Sequence, residues 1–246
     1  MKITFLADKN PEATKALFAC IKRYGQADLD KADVVVVLGG DGFMLKILHA
    51  LLNYQTPVFG LNLGHVGYLL NRYSEDNLPD RIDTATALKA TPLRVNIENL
   101  LGKTQEVFAF NEVSLQRSTP QAARLKTIIT DEHNGQGYDS TTEVFGDGLI
   151  VATKMGSSGY YRSAQGKSFK KKYQAMGVQS ICSQKPFNRI VSEKGHVCVV
   201  PEEVIKRPVH LDKDGQERIA RVGLVCVQPA PDKARTLLME QKQSVR

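Results

Sequence analysis

Apolar and polar positions fall into two textures along the chain. KITFLA (Lys2–Ala7) is a short apolar run that predicts a strand, and NPEATKALFACIKRYG (Asn10–Gly25) then spaces its apolar residues at helical intervals. Asn10 as N-cap, Pro11 at the first helical position and Gly25 as a stop set the ends of that helix. ADVVVVLGG (Ala32–Gly40) is apolar without alternation, as expected of a strand covered on both faces, and FMLKILHALLNY (Phe43–Tyr54) returns to helical spacing. TPVFGLNLGHVGYLL (Thr56–Leu70) supplies a third strand and a Gly-rich loop, and SEDNLPDRIDTATALKA (Ser74–Ala90) reads as helical over its later half. These segments predict a parallel α/β unit.

The texture changes at Thr91–Pro92. LRVNIEN, EVFAFNEVSLQR, RLKTIITDE, EVFGDGLIVATK, GHVCVVPEE, RPVHLDKDG and ARVGLVCVQP are short segments, many of them alternating, separated by turns such as NGQG, the pattern of a β-rich domain. PDKARTLLMEQKQ (Pro231–Gln243) is expected to form a helix that returns to the first domain. The resulting division is an α/β domain over residues 1–92, a β-rich domain over 93–228, and a C-terminal segment, 229–246, packing on the first.

Composition changes this picture little. A hydrophobic fraction of 42% and a charged fraction of 24% in 246 residues suit a globular protein with a real core. The N-terminus turns polar too soon for a signal-peptide core, and no apolar run is long enough to span a bilayer, so a cytoplasmic protein with no membrane partner is expected. The cysteines Cys20, Cys182, Cys198 and Cys226 form no CxxC pair and are expected to be reduced and mostly buried. A net charge of +7 favours polyanionic partners without choosing among them. The run GKSFKKKY (Gly166–Tyr173) reads as a solvated basic face, and no nucleic-acid partner is expected from charge alone.

The candidate chemistry begins at Gly39-Gly40-Asp41-Gly42. A Gly-rich turn between a buried parallel strand and a helix lies at the carboxyl edge of a sheet, where open α/β folds bind ligands, and its glycines let backbone amides approach phosphate oxygens. A carboxylate at that place repels phosphate unless it holds a metal, accepts a proton from an attacking hydroxyl, or binds ribose; otherwise Asp41 is a helix cap in a tight turn. Further along stand Asn111-Glu112, Asp147-Gly148, a Gly-Ser-Ser-Gly turn and Tyr160. Each alone reads as an ordinary strand edge, hairpin turn or half-buried ring.

In their order these segments resemble the NAD kinase family, over most of the chain. Gly39–Gly42 matches the family's GGDG, Asn111-Glu112 its NE, and Asp147–Ile150 the GDGL that precedes its TPTGSTAY, here Thr153–Tyr160 as TKMGSSGY. NLGHVGYLL resembles its third Gly-rich loop, and Asp214 falls at its acidic turn. Lys154, Met155, Ser158 and Gly159 depart from that pattern.

The resemblance implies a Rossmann-like α/β domain joined to a β-sandwich, and phosphorylation of the adenosine-ribose 2′-hydroxyl of NAD, with ATP or polyphosphate as donor and Mg2+ in attendance. It implies Asp41 as general base or metal-linked anchor, with Gly42 beside it at the dinucleotide. Asn111 and Glu112 would meet the adenosine and Tyr160 the adenine, with Gly159 in the same segment. Asp147, Ser158 and Ser163 would approach the nicotinamide side, and Gly39, Gly40, Gly64 and Gly67 the donor phosphates. No metal ligand from the protein is implied. A homodimer or homotetramer is expected. The alternatives are a GGDG-type lipid kinase and a catalytically weak dinucleotide sensor.

Overall fold

The computed structural model describes residues 1–64, 67–133, 136–167, 169 and 174–240. Lys170, Lys171 and Lys172 of the basic run and residues 134–135 of the NGQG turn lie outside them. The chain divides into two compact units, residues 1–90 with 233–246, and residues 91–232.

The first unit runs β1 (Ile3–Ala7), α1 (Pro11–Tyr24), β2 (Val34–Gly39), α2 (Asp41–Ala50), β3 (Val58–Asn62), β4 (Asn71–Arg72), α3 (Leu78–Asp83) and β5 (Thr86–Ala90). α1 starts where its sequence says it must: the Asn10 side chain accepts from the Ala13 N–H at 2.8 Å, and Gly25 takes a left-handed φ of 78° at its end. β1, β2 and β3 pair in parallel, and every residue of β2 is buried. Ile3, Phe5, Val34, Val36, Leu38, Phe59 and Leu61 join Ala16 and Cys20 of α1 and Leu78 and Ile82 of α3 in one core.

Two expectations fail here. The later half of Ser74–Ala90 is not helical: α3 ends at Asp83 and Thr86–Ala90 is a strand. The C-terminal segment does return to this unit, but as a strand, Arg235–Met239, which lies between β3 and β5, parallel to the first and antiparallel to the second. Both misreadings have one cause. The two segments supply each other's hydrogen-bond partners, and pairing across about 145 residues overrides local helix propensity. Side chains lock the return: Asn71 donates to the Leu238 carbonyl at 3.0 Å and accepts from the Glu240 N–H at 2.8 Å, and Arg81 grips Glu240 through Nε and Nη2 at 2.6 and 3.0 Å.

The second unit contains β6 (Leu93–Asn99), β7 (Thr104–Ala109), β8 (Glu112–Arg117), β9 (Ala123–His133), β10 (Gln136–Gly146) and β11 (Gly148–Thr153). A short helix, α4 (Tyr160–Ser163), leads to β12 (Gln174–Ile181), β13 (Asn188–Ser192), β14 (His196–Pro201), β15 (Val209–Lys213), β16 (Glu217–Ala220) and β17 (Val222–Pro229). They form two six-stranded antiparallel sheets, ordered β10-β9-β14-β17-β6-β7 and β13-β12-β11-β8-β15-β16. Alternate residues of both sheets, among them Val95, Ile97, Val113, Leu115, Leu149, Val151, Val197, Val199, Leu211, Val225 and Val227, face one another in a single core. The protein is therefore an α/β unit plus a β-sandwich.

The cysteines correct a further expectation. Cys198 on β14 and Cys226 on β17 are direct cross-strand partners with Cα atoms 4.1 Å apart, and a disulfide joins them; Cys20 is buried and free, Cys182 exposed and free. Their separation of 28 residues gives no hint of this, because the register of two strands is set by the sheet and not by the intervening chain.

Candidate functional site

In the first unit the site residues gather at the carboxyl ends of β2 and β3. α2 begins at Asp41 with Gly40 as N-cap in extended conformation, so Asp41 stands in the first helical turn. Its side chain reaches to the third Gly-rich loop. Its carboxylate accepts from the Tyr68 N–H at 2.9 and 3.1 Å to its two oxygens and from the Leu69 N–H at 3.0 Å. An ionised carboxylate has about four acceptor positions, so these contacts leave room for one more donor.

Asn62, at the end of β3, holds the same loop by accepting from the Gly64 N–H at 2.9 Å, while the Leu63 N–H donates to the Gly39 carbonyl at 2.9 Å. A Cβ on Gly64 would stand 3.7 Å from the Gly40 Cα, and one on Gly67 would press on Asn62. Gly39, Gly40, Asp41 and Gly42 of the β2–α2 turn thus meet the loop of Gly64 and Gly67 through the Asp41 carboxylate and the Leu63–Gly39 backbone bond. The N-cap position itself is held by Gly40, and the Asp41 carboxylate is engaged by the Tyr68 and Leu69 amides.

In the second unit the site is built on the corner before β8. Asp214, in the β15–β16 turn with a left-handed φ of 49°, accepts from the Phe110 N–H at 2.9 Å, the Asn111 N–H at 2.7 Å and the Glu112 N–H at 3.1 Å. Its own N–H donates to the Glu112 carbonyl at 3.0 Å. From the other side the Thr153 hydroxyl donates to the Phe110 carbonyl at 2.6 Å, and the Thr153 N–H to the Asn111 carbonyl at 2.8 Å. Every N–H and C=O of residues 110–112 is engaged by the fold, so the chemistry left to the corner is that of its side chains.

Glu112 is the unusual one. Its Oε2 is buried and has no hydrogen-bond partner among the described residues. Burial first, and then the like charge of Asp214, push its carboxyl up to about 7.

The TKMGSSGY segment closes on this corner. The Gly156 N–H donates to the Thr153 hydroxyl at 3.1 Å, and a Cβ on Gly156 would overlap the Asn111 carbonyl, so only glycine fits. Gly156–Ser158 form a single 3-10 turn with Gly159 at its end, where a Cβ would stand 3.5 Å from the Gly156 carbonyl oxygen and 3.9 Å from Glu112 Oε2. Tyr160 opens α4 and is 38% exposed. Its hydroxyl is pushed up by partial burial and by the charges of Cys182, Asp147, Asp212 and Glu112 around it. Ser163 ends α4 with its hydroxyl directed to the Gly159 carbonyl. Lys154 is exposed and Met155 partly buried, so two of the four departures from the family pattern fall between the anchoring residues Thr153 and Gly156.

Asp147 lies at the opposite end of β8 from Glu112, where its carboxylate pairs with Arg117 at 2.6 Å. Between them the outward positions of β8 and β15 carry Ser114, Gln116, His210 and Asp212, with Arg218 gripping Asp212 at 2.8 and 3.0 Å. Sequence reasoning assigned no role to these five residues. Period-two alternation with the buried Val113, Leu115, Val209 and Leu211 is the signal that marks them as one face.

A parallel α/β unit with an acid-bearing Gly-rich turn, and a β-sandwich with a buried carboxylate at a strand corner, define a nucleotide-binding two-domain class. The model of the ATP-NAD kinase N-terminal domain matches residues 4–89. The chain is 35% identical over 240 residues to an NAD kinase of Hyphomonas neptunium, covering 96% of this chain and 91% of that one, and 38% identical over 218 residues to an NAD kinase of Rhizobium meliloti, covering 87% and 82%. The chain belongs to the NAD kinase family. Among solved structures, its fold is similar to yeast NADH kinase complexed with NADH (TM-score 0.79, 18% identity, 98% of this chain and 84% of that one) and to an Archaeoglobus fulgidus NAD kinase in complex with ATP (TM-score 0.75, 21% identity, 98% and 95%).

Proposed function

We propose that the protein is an NAD kinase that transfers the terminal phosphoryl group of ATP to the 2′-hydroxyl of the adenosine ribose of NAD, giving NADP and ADP. The observation that carries the reading is the Asn111–Glu112 corner. Its backbone is wholly engaged, and a buried, unpartnered carboxylate oxygen remains beside a half-exposed tyrosine ring. Adenosine offers the matching groups, ribose hydroxyls as donors and a base with a π face.

In this reading Asn111 and Glu112 hydrogen-bond the adenosine and Tyr160 packs on the adenine, with Gly159 leaving space beside Glu112. Asp147, Ser158 and Ser163 meet the nicotinamide side. Gly39, Gly40, Gly64 and Gly67 admit the donor phosphates, and Gly42 the substrate. Asp41 accepts the 2′-hydroxyl hydrogen bond at its remaining acceptor position. The ribose oxygen bonds to the terminal phosphorus, the bond from that phosphorus to the bridging oxygen breaks, ADP leaves, and the hydroxyl proton passes to Asp41. Alignment and charge stabilisation dominate such a transfer.

Among the described residues no three His, Cys, Asp or Glu side chains gather to hold a metal ion alone. Mg2+ is commonly held by substrate phosphates with water and one or two carboxylates, and here it would come with the donor phosphates, leaving the last acceptor position of Asp41 to the ribose hydroxyl. Bound with the donor, Mg2+ neutralises phosphate charge. A homo-oligomer and a cytoplasmic setting complete the proposal; no helix among the described residues is long and apolar enough to cross a membrane.

Incubation with NAD, ATP and magnesium should yield NADP, and replacing ATP by polyphosphate or NAD by NADH ranks donors and acceptors. Calorimetric NAD binding with no NADP from any donor would overturn the kinase reading. Light scattering reads the assembly, and a fully active monomer overturns the oligomer.

A further inference from the structure

We infer that Asp214 is a positioning residue for dinucleotide recognition: its buried carboxylate fixes the backbone of Phe110, Asn111 and Glu112 and so aims the two side chains that meet the adenosine. The inference rests on the NAD kinase reading of the corner and adds a residue to it.

Three amides converge on one carboxylate, Phe110 on Oδ2 and Asn111 and Glu112 on Oδ1, at 2.7 to 3.1 Å. Such a nest of successive N–H groups favours a full negative charge at its centre. Asp214 is only 7% exposed and stands in a left-handed conformation followed by Gly215 at φ 63°, a turn shaped to bring it under the corner. With Glu112 fixed through both its N–H and its carbonyl to the same residue, a small shift of the β15–β16 turn carries the Glu112 side chain with it.

A carboxylate does something here that a neutral acceptor would not. It places a negative charge beside the buried Glu112 carboxyl, whose ionisation it opposes together with burial. Among the described residues the other groups facing Glu112 add no cation. Tyr160 of α4 is neutral, Ala152 and Thr153 of β11 are uncharged, and Lys213 of β15 is paired with Glu217 at 2.7 Å. Asp214 therefore sets both the direction of Glu112 and the pH at which it becomes a full acceptor for ribose hydroxyls.

The test compares kcat and KM for NAD from pH 5.5 to 8.5 in the wild type, Asp214→Asn, Thr153→Val and Glu112→Gln. Asp214→Asn loses at least one acceptor oxygen and the charge. It should raise KM for NAD about tenfold or more while kcat changes less than about threefold, and it should move the rise of kcat/KM with pH to the acid side. Thr153→Val loosens the same corner without altering charge, so it should raise KM with the pH midpoint unmoved. An Asp214→Asn enzyme with wild-type KM, or one whose loss is uniform in pH with an unmoved midpoint, overturns the inference.

If Asp214→Asn does not fold, the wild type and Glu112→Gln decide. A rise near neutral pH present in the first and absent in the second supports the coupling, and a flat wild-type profile overturns it. A wild type that makes no NADP refutes the kinase reading instead, and calorimetric NAD binding by the wild type and Asp214→Asn over the same pH range then tests Asp214 on its own.

Discussion

Asp41→Asn separates the two things the Asp41 carboxylate does. In the structure it holds the Tyr68 and Leu69 N–H groups through contacts of 2.9 to 3.1 Å, and in the proposed reaction it takes the ribose proton. Asparagine keeps one acceptor oxygen and turns an NH2 toward the second amide, so one loop hydrogen bond is lost. Tyr68 is 67% exposed and water replaces that bond, which limits the stability cost to about 1 kcal/mol. For a chain of this size that is a fall in Tm of roughly 2–4 °C.

Loss of a positioned general base removes about 10²- to 10⁴-fold in rate, so turnover should fall at least about 100-fold while NAD affinity, read by calorimetry, changes little. Tyr68→Pro removes the loop N–H and leaves the carboxylate, and should cost far less turnover. NADP formation measured by chromatography gives kcat for each variant. Near-normal turnover in Asp41→Asn, or an equal loss in Tyr68→Pro, would refute the assignment of the proton to Asp41 and leave it as a loop staple.

Three further outcomes are expected. Glu112 binds its proton more tightly folded, at about 7 against 4.5 in the free side chain, so between these values the native state carries a proton that the unfolded chain has lost and stability falls as pH rises, by on the order of 2–3 kcal/mol. Denaturant unfolding at pH 5 and pH 8 should show this difference in the wild type and lose most of it in Glu112→Gln; equal slopes would remove the buried ionisation. Gly156→Ala forces a methyl onto the Asn111 carbonyl and should cost about 1–3 kcal/mol with a marked loss of NAD binding, whereas Lys154→Ala stays within about 0.5 kcal/mol. Without reductant the folded protein should show one fast thiol, Cys182, because the Cys20 thiol is buried and pushed up to about 11, and denaturation should reveal two thiols rather than four.

Where local chemistry determines structure, the sequence was readable. Asn10, Pro11 and Gly25 bound α1 because caps act within one turn, and the unbroken valines of β2 predict a strand buried on both faces. The GGDG, NE and GDGL segments pointed to the family by resemblance, since each is a short contiguous unit. What failed depends on partners far along the chain. Thr86–Ala90 and Arg235–Met239 are strands because each has the other, and Cys198 meets Cys226 because sheet register aligns them. The bonds of Asp41 to Tyr68 and Leu69 were equally hidden, as they go to backbone amides that no side-chain motif reveals. Asp214 was visible as an acidic turn, but its function as the anchor of residues 110–112 lies in three N–H groups about a hundred positions away.

The returning strand also sets an order of events during synthesis. Arg235–Met239 fills the space between β3 and β5, yet the ribosome makes it only after all of residues 91–232. The sandwich is contiguous and can close as it emerges, while the α/β unit waits with two unpaired strand edges that invite pairing with other chains. Nascent chains stalled or cut just before Ala234 should therefore carry a folded sandwich and an unfinished, aggregation-prone first unit, and the last step of folding is the docking of a five-residue strand rather than the collapse of a domain.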